Sequence, residues 1–148
     1  MKVAIQRVIK ANLTIQNQLY SKINKGIVVL IGITHSDTIS DIPKVANKII
    51  RLRIFNDQNH KMNLSLLDIN GEILIVSQFT LYSDCTNGNR PSYTNAASPE
   101  HAKKIYNEFV NYINRKVAKV QTGKFGANMQ ISLVNDGPAT FIIETDEK

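Results

Sequence analysis

Two short polar clusters in this chain interrupt otherwise apolar runs, and its chemistry is expected there. The first is Ser77-Gln78-Phe79-Thr80-Leu81, where the strand-like run Ile73-Leu74-Ile75-Val76 gives way abruptly to groups that donate hydrogen bonds. The second is Asn135-Asp136-Gly137-Pro138-Ala139-Thr140, between two late strand-like stretches. A proline removes a ladder hydrogen bond, so Pro138 belongs at a bend, and Gly137 relieves the conflict that proline imposes on the residue before it. Each cluster also has a plain structural reading. Ser and Thr are common at strand ends, Phe79 can be core, and Gly-Pro can be a tight turn.

Ordinary catalytic machinery is not evident elsewhere. His35, His60 and His101 have no carboxylate or cysteine at metal-ligand spacing, so no metal site and no cofactor is expected. A conventional Ser- or Thr-nucleophile hydrolase would pair Ser77 or Thr80 with His35 or His101. The chain has no GxSxG elbow, no GxxxxGK[ST] phosphate loop and no GxGxxG after a strand. Gly123 and Gly126 read as turn residues, and the carboxylate pairs Asp68/Glu72 and Asp136/Glu144 flank turns that explain them.

The elements that must position these clusters follow from periodicity. Residues 2–9 alternate as a strand, 13–24 resemble a hairpin around Asn17 and Gln18, and Ile27 to Ile33 is a β-branched run suited to a buried strand. Ile42, Val45, Ile49 and Leu52 recur at helical spacing behind Ser40 or Asp41 as N-cap, with Pro43 in the first turn. Residues 56–63 read as a loop, and Asn70-Gly71 predicts a hairpin pairing 64–69 with 72–79. Residues 83–98 predict a long exposed loop, and loops of that length are more often functional than structural. Ser98-Pro99-Glu100 opens a second helix with Ala102, Ile105, Phe109 and Tyr112 or Ile113 on its apolar stripe. Period two returns in 117–122, 129–134 and 140–145. The expected class is α+β: a twisted antiparallel or mixed sheet, or an open barrel, with two helices packed outside it.

The 148 residues fit one domain spanning 1–148, with 43% hydrophobic and 20% charged residues. No apolar run is long enough for a membrane span, and the alternating N-terminus lacks a signal-peptide pattern, so a cytoplasmic location is expected. The one cysteine, Cys85, fits a reducing compartment and reads as a free thiol near a turn. A net charge of +6 attracts polyanions, which suits RNA binding and equally suits lysine-rich solvated helix faces. A non-catalytic basic RNA- or DNA-binding module is therefore the competing expectation.

Taken together, Gln6-Arg7-Val8, SQFTL (77–81), GNRPSY (88–93), GKFGANM (123–129) and NDGPAT (135–140) appear in one order along the whole chain. In this the sequence resembles the D-aminoacyl-tRNA deacylase family of the bacterial and eukaryotic type. Ser77 and Phe79 distinguish it from a sister type that acts on L-alanyl-tRNA errors and carries proline and alanine in the first motif. The resemblance implies hydrolysis of the ester in D-aminoacyl-tRNA, and of glycyl-tRNA, including glycine mischarged on tRNA-Ala, by a homodimer with active sites at the subunit interface.

It further implies roles for single residues. Main-chain amides around Phe79 and Thr80, within Ser77 to Thr80, would polarise the ester carbonyl, and the neighbouring ribose 2′-hydroxyl would help activate water. Thr80 is a nucleophile candidate in the family; without a base in the motif its hydroxyl ranks as a positioning group. Gly137 and Pro138, joined by a cis bond, would enter the partner's site and reject L side chains, with Asn135 and Thr140 in the same motif. Arg7 would fix this loop, or else reach solvent from a sheet edge. Phe125 and Met129 would stack on the adenosine or pack in the core. Relatives often carry lysines just before GNRPS; here Cys85, Thr86 and Asn87 stand there, which implies weaker tRNA contacts from this loop or contacts placed elsewhere.

Overall fold

The computed structural model describes residues 1–145, so the last three positions of the 1–148 span lie outside it. The elements run β1 (Lys2–Ile15), β2 (Gln18–Ile23), β3 (Gly26–Gly32), α1 (Ile42–Arg51), β4 (Phe55–Asn56), β5 (Met62–Leu64), β6 (Glu72–Ser77), α2 (Pro99–Asn114), β7 (Val120–Thr122) and β8 (Gln130–Glu144). Two 3-10 turns, Ile39–Asp41 and Phe79–Tyr82, precede α1 and follow β6. Six strands form one mixed sheet in the order β2-β1-β3-β6-β7, with β8 also on β1. β1 is antiparallel to β2, β3 and β8, whereas β6 runs parallel to both β3 and β7.

The sheet curls until β2 comes back against β6 and β7, giving the nearly closed barrel of the expected α+β class. Glu72 fastens that seam: its carboxylate accepts from the Asn24 main chain at 2.9 Å and side chain at 3.2 Å, and from Lys119 Nζ at 3.0 Å. Partial burial pushes the Glu72 pKa up, but these donors outweigh it and hold the carboxyl below its usual value.

Alternation within the strands builds two cores. Ile27, Val29 and Ile31 of β3 and Ile73 and Ile75 of β6 face the helices, meeting Ile42, Val45 and Ile49 of α1 and Ile105, Phe109 and Ile113 of α2. Val28, Leu74 and Val76 face the barrel interior with Val8, Ala11, Leu13 and Ile23. A strand buried on both faces reads as a continuous apolar run, as β3 does. The helices start where expected. Asp41 stands at the N-cap position of α1 with proline in its first turn, and the Ser98 hydroxyl caps α2 by accepting from His101 N.

Four local expectations are corrected. The first hairpin turns at Gln16 and Asn17, both left-handed with φ of 51° and 61°, and β1 continues unbroken into it. Residues 55–64 hold the small β4–β5 ladder rather than loop alone. The Asn70-Gly71 hairpin does not form. Residues 65–70 coil instead into a turn in which Ser65 N and Oγ donate to Asp68 Oδ2 at 2.8 and 2.7 Å and Gly71 N donates to the Leu66 carbonyl. Leu66 is thereby buried, and β6 already has a partner on each edge, so no place remains for a 64–69 strand beside it. Finally, the two late strands around Gly-Pro are one strand, β8, with a bulge.

That bulge is defined by register. Gln6 pairs with Thr140 and Val8 with Asn135, so residues 136–139 stand opposite Arg7 alone. A bulge accommodates proline in a strand because the ladder is already interrupted there.

Candidate active site

The carboxyl ends of parallel β3 and β6 meet the segment after β7 around a cleft of about 580 Å³. Ile31 lines it from β3 and Ile33 from just past its end, Val76, Ser77, Gln78 and Phe79 from β6 and its 3-10 turn, and Phe125 to Met129 from the segment after β7. The SQFTL and GKFGANM motifs, some fifty positions apart in sequence, are thus neighbours in space.

The local geometry at Ser77–Thr80 is set by main chain. Gln78 N donates to the Ile31 carbonyl at 2.8 Å, ending the strand, and the chain then tightens into the turn. In a 3-10 turn beginning at Phe79, the N–H groups of Phe79 and Thr80 precede the first internal hydrogen bond and have no acceptor within it. Gly32 makes this close approach feasible: a β-carbon there would lie 3.0 Å from the Gln78 carbonyl oxygen and 3.0 Å from Leu81 Cβ. Thr80 Oγ1 accepts from Gln78 Nε2 at 2.5 Å.

Neither candidate histidine stands by these hydroxyls in a hydrogen bond. His35 Nε2 lies 2.9 Å from the Thr94 carbonyl and His101 Nε2 lies 2.9 Å from the Asp37 carbonyl, and neither ring lines the cleft. Among the described residues no group of three or more His, Cys, Asp or Glu could hold a metal ion, and no helix is long and apolar enough to cross a membrane.

Gly137, Pro138, Arg7, Asn135 and Thr140 form a second cluster, on the β1–β8 ladder, and none of them lines this cleft. Arg7 is 5% exposed. Its Nε donates to the Asp136 carbonyl at 3.0 Å and its Nη1 to the Ile54 carbonyl at 2.5 Å, while Asp136 Oδ2 lies 3.3 Å from Nε. It does not reach solvent. Asn135 Oδ1 accepts from Ala139 N at 2.9 Å, and Asn135 Nδ2 and Gln6 Nε2 both donate to Thr140 Oγ1. The Gly137–Pro138 peptide is cis, and Gly137 has a φ of 120° that L side chains rarely adopt. Both residues are exposed at the crest of the bulge.

Three residues at the cleft were not singled out from sequence for it. Tyr93 closes the GNRPSY motif and lines the rim. Tyr106 lies behind the cleft: its ring packs 5.8 Å from that of Phe125 and its hydroxyl donates to the Ile75 carbonyl at 2.9 Å. Burial pushes the Tyr106 pKa up, which keeps the phenol a donor. Its place on the α2 stripe, four residues after Ala102, was the available signal. Gly32 carried none, because its role depends on a turn that arrives from another strand.

Comparison with known proteins shows what this chain is similar to. The family model described as D-Tyr-tRNA(Tyr) deacylase matches residues 4–144. A D-aminoacyl-tRNA deacylase of Thermosipho africanus is 55% identical over 98% of this chain and 97% of its own, and one of Clostridioides difficile is 48% identical over 99% of both. Among solved structures, one described as c-Myc DNA Unwinding Element Binding Protein superposes with a TM-score of 0.94 at 38% identity, covering 99% of this chain and 100% of its own. Another, described as a probable eukaryotic D-amino acid tRNA deacylase, shares the fold with a TM-score of 0.84 at 16% identity, covering 96% and 97%. With the SQFTL and GKFGANM motifs drawn together at one cleft and its length matched almost end to end, the chain belongs to the D-Tyr-tRNA(Tyr) deacylase family.

Proposed function

We propose that this protein hydrolyses the ester linking a D-amino acid to the terminal ribose of tRNA. The observation that carries the reading is the main chain of Phe79 and Thr80, whose N–H groups have no acceptor inside their own turn, at the point where Ser77, Gln78 and Phe79 border a largely apolar cleft. Donors fixed in this way favour the oxyanion that develops when water attacks the ester carbonyl. The tetrahedral species then collapses, expelling the ribose oxygen, which takes a proton. An aminoacyl ester is already activated, so no strong side-chain base is needed, and the vicinal 2′-hydroxyl assists the water. Thr80, held by Gln78, positions rather than attacks. Phe125 and Met129 hold the adenosine.

Stereochemistry is assigned to Gly137 and Pro138 acting in the cleft of a partner subunit. Support comes from the loop itself: it is exposed, braced on both flanks, and absent from the lining of its own cleft. An L side chain would collide with its carbonyls where a D side chain points away, a selection by rejection. Glycine has nothing to reject, so glycyl-tRNA is cleaved too. The homodimer is supported by the apolar residues left on the sheet surface, including Ile142, 65% exposed opposite Ala4, and Ile9 and Val134. The enzyme works in the cytoplasm.

A second reading, a non-catalytic nucleic-acid-binding module, is favoured by the +6 charge and by the DNA-binding name of a close structural relative. Incubation with D-tyrosyl-, L-tyrosyl- and glycyl-tRNA separates the two. Release of D-tyrosine and glycine but not L-tyrosine supports the deacylase; binding without release supports the module.

A further inference from the structure

Large aromatic rings usually find cover in a fold of this size, yet two at the cleft rim do not. Phe79 is 56% and Tyr93 43% exposed. They meet edge to face, with centroids 5.1 Å apart and planes at 67°, a favoured aromatic geometry. Tyr93 comes from the long 83–98 loop, but its backbone is not loose. On one side Asp84 and Ser92 exchange two main-chain hydrogen bonds of 2.8 and 2.9 Å. On the other, Ala96 N donates to the Tyr93 carbonyl at 3.0 Å, Thr34 Oγ1 to the Asn95 carbonyl at 2.6 Å, and His35 Nε2 to the Thr94 carbonyl at 2.9 Å. Ala97 N then donates to the Ile33 carbonyl at 2.9 Å, tying the loop to the end of β3.

Two exposed rings on an anchored backbone, continuous with the pocket that holds Phe125 and Met129, form a surface suited to another flat partner. Single-stranded RNA supplies one, because the unpaired bases at its end stack on aromatic side chains. The basic charge of the chain suits the accompanying phosphates. We infer that Phe79 and Tyr93 form a stacking platform for the base of the nucleotide that precedes the terminal adenosine, with His35 as a positioning residue that holds the Tyr93 segment. The inference rests on the deacylase reading and extends it by one nucleotide.

The test compares D-tyrosyl-tRNA with 3′-D-tyrosyl-adenosine, which lacks the preceding nucleotide. Tyr93→Ala should raise KM for the tRNA about 10-fold more than for the adenosine ester, as expected for loss of one stacked base, with kcat changed little. Tyr93→Phe keeps the ring and should restore KM. His35→Ala should give a smaller rise with the same dependence on substrate. Against the wild type, cytidylyl-adenosine should inhibit at lower concentration than adenosine monophosphate, and Tyr93→Ala should remove that difference. Equal KM changes on the two esters, or an unchanged inhibitor difference, would overturn the platform while leaving the deacylase reading intact. A wild-type protein that cleaves neither ester would overturn both.

Discussion

In the proposed mechanism the cleft at Ser77–Thr80 and the bulge at Asp136–Ala139 solve opposite problems with opposite means. The cleft presents backbone N–H groups, and among the described residues its side-chain polar bonds are sparse: Thr80 Oγ1 is held by Gln78, which caps the same turn. The bulge presents a crest of Gly137 and Pro138, and side chains brace it from two strands through Arg7, Asn135, Gln6 and Thr140. Chemistry that relies on amide dipoles needs the chain to turn at a fixed place, which the ends of parallel strands provide. A steric check needs a projection that does not yield, and a bulge left to itself would yield. The difference teaches that removing side chains should damage the bulge far more than the cleft.

The largest effect is therefore expected at Arg7. Arg7→Ala leaves two carbonyls without their donor in a buried setting, and thermal or denaturant unfolding should show a loss of about 3 kcal/mol. The same variant should cleave L-tyrosyl-tRNA measurably, so that discrimination falls while D-tyrosyl-tRNA is still hydrolysed. Next comes Gly32→Ala, which pushes the turn at Gln78 and Leu81 by a few tenths of an ångström. Single-turnover rates should fall about 10-fold with little change in stability, because the amides move and the core does not. Thr80→Ala should retain substantial activity, within about 10-fold of wild type in kcat; near-total loss with intact fold and binding would make its hydroxyl a reacting group.

Smaller still is the contribution of Glu72. Its pKa is depressed in the fold, so it stabilises the barrel seam fully above its unfolded value of about 4.3 and loses that stabilisation as pH falls through the folded value. Unfolding measured from pH 6 to 3 should be steeper for the wild type than for Glu72→Gln. The smallest change is Ser21→Ala. The Ser21 hydroxyl is buried without a hydrogen-bond partner among the described residues, so its removal should leave stability unchanged or slightly higher.

The sequence carried the architecture wherever the signal was local. The β-branched run of β3, the caps of α1 and α2, and the polar Ser/Thr/Asn-rich 83–98 loop all appear at their expected places. It misled where partners came from afar. Asn70-Gly71 has the composition of a hairpin, yet Asp68 caps the preceding turn and β6 takes parallel neighbours, which no adjacent residue announces. Pro138 argued for a break, but the ladder on β1 runs past it because the extra residues bulge opposite Arg7. The site was legible as motifs and not as geometry. Nothing in SQFTL or GKFGANM says that they face each other, and Tyr106, Tyr93 and Gly32 depend on contacts across the fold.

The central claim is that the bulge of one subunit polices the cleft of the other, and a mixed dimer tests it. An Arg7→Ala subunit, with a weakened bulge and an intact cleft, is paired through separate affinity tags with a Met129→Trp subunit, whose bulge is intact and whose cleft is blocked. The one open cleft should then be served by the one sound bulge, and the isolated mixed dimer should cleave D-tyrosyl-tRNA while sparing L-tyrosyl-tRNA. Cleavage of L-tyrosyl-tRNA at half the rate of the Arg7→Ala homodimer would mean that each bulge guards its own chain, and would contradict the account.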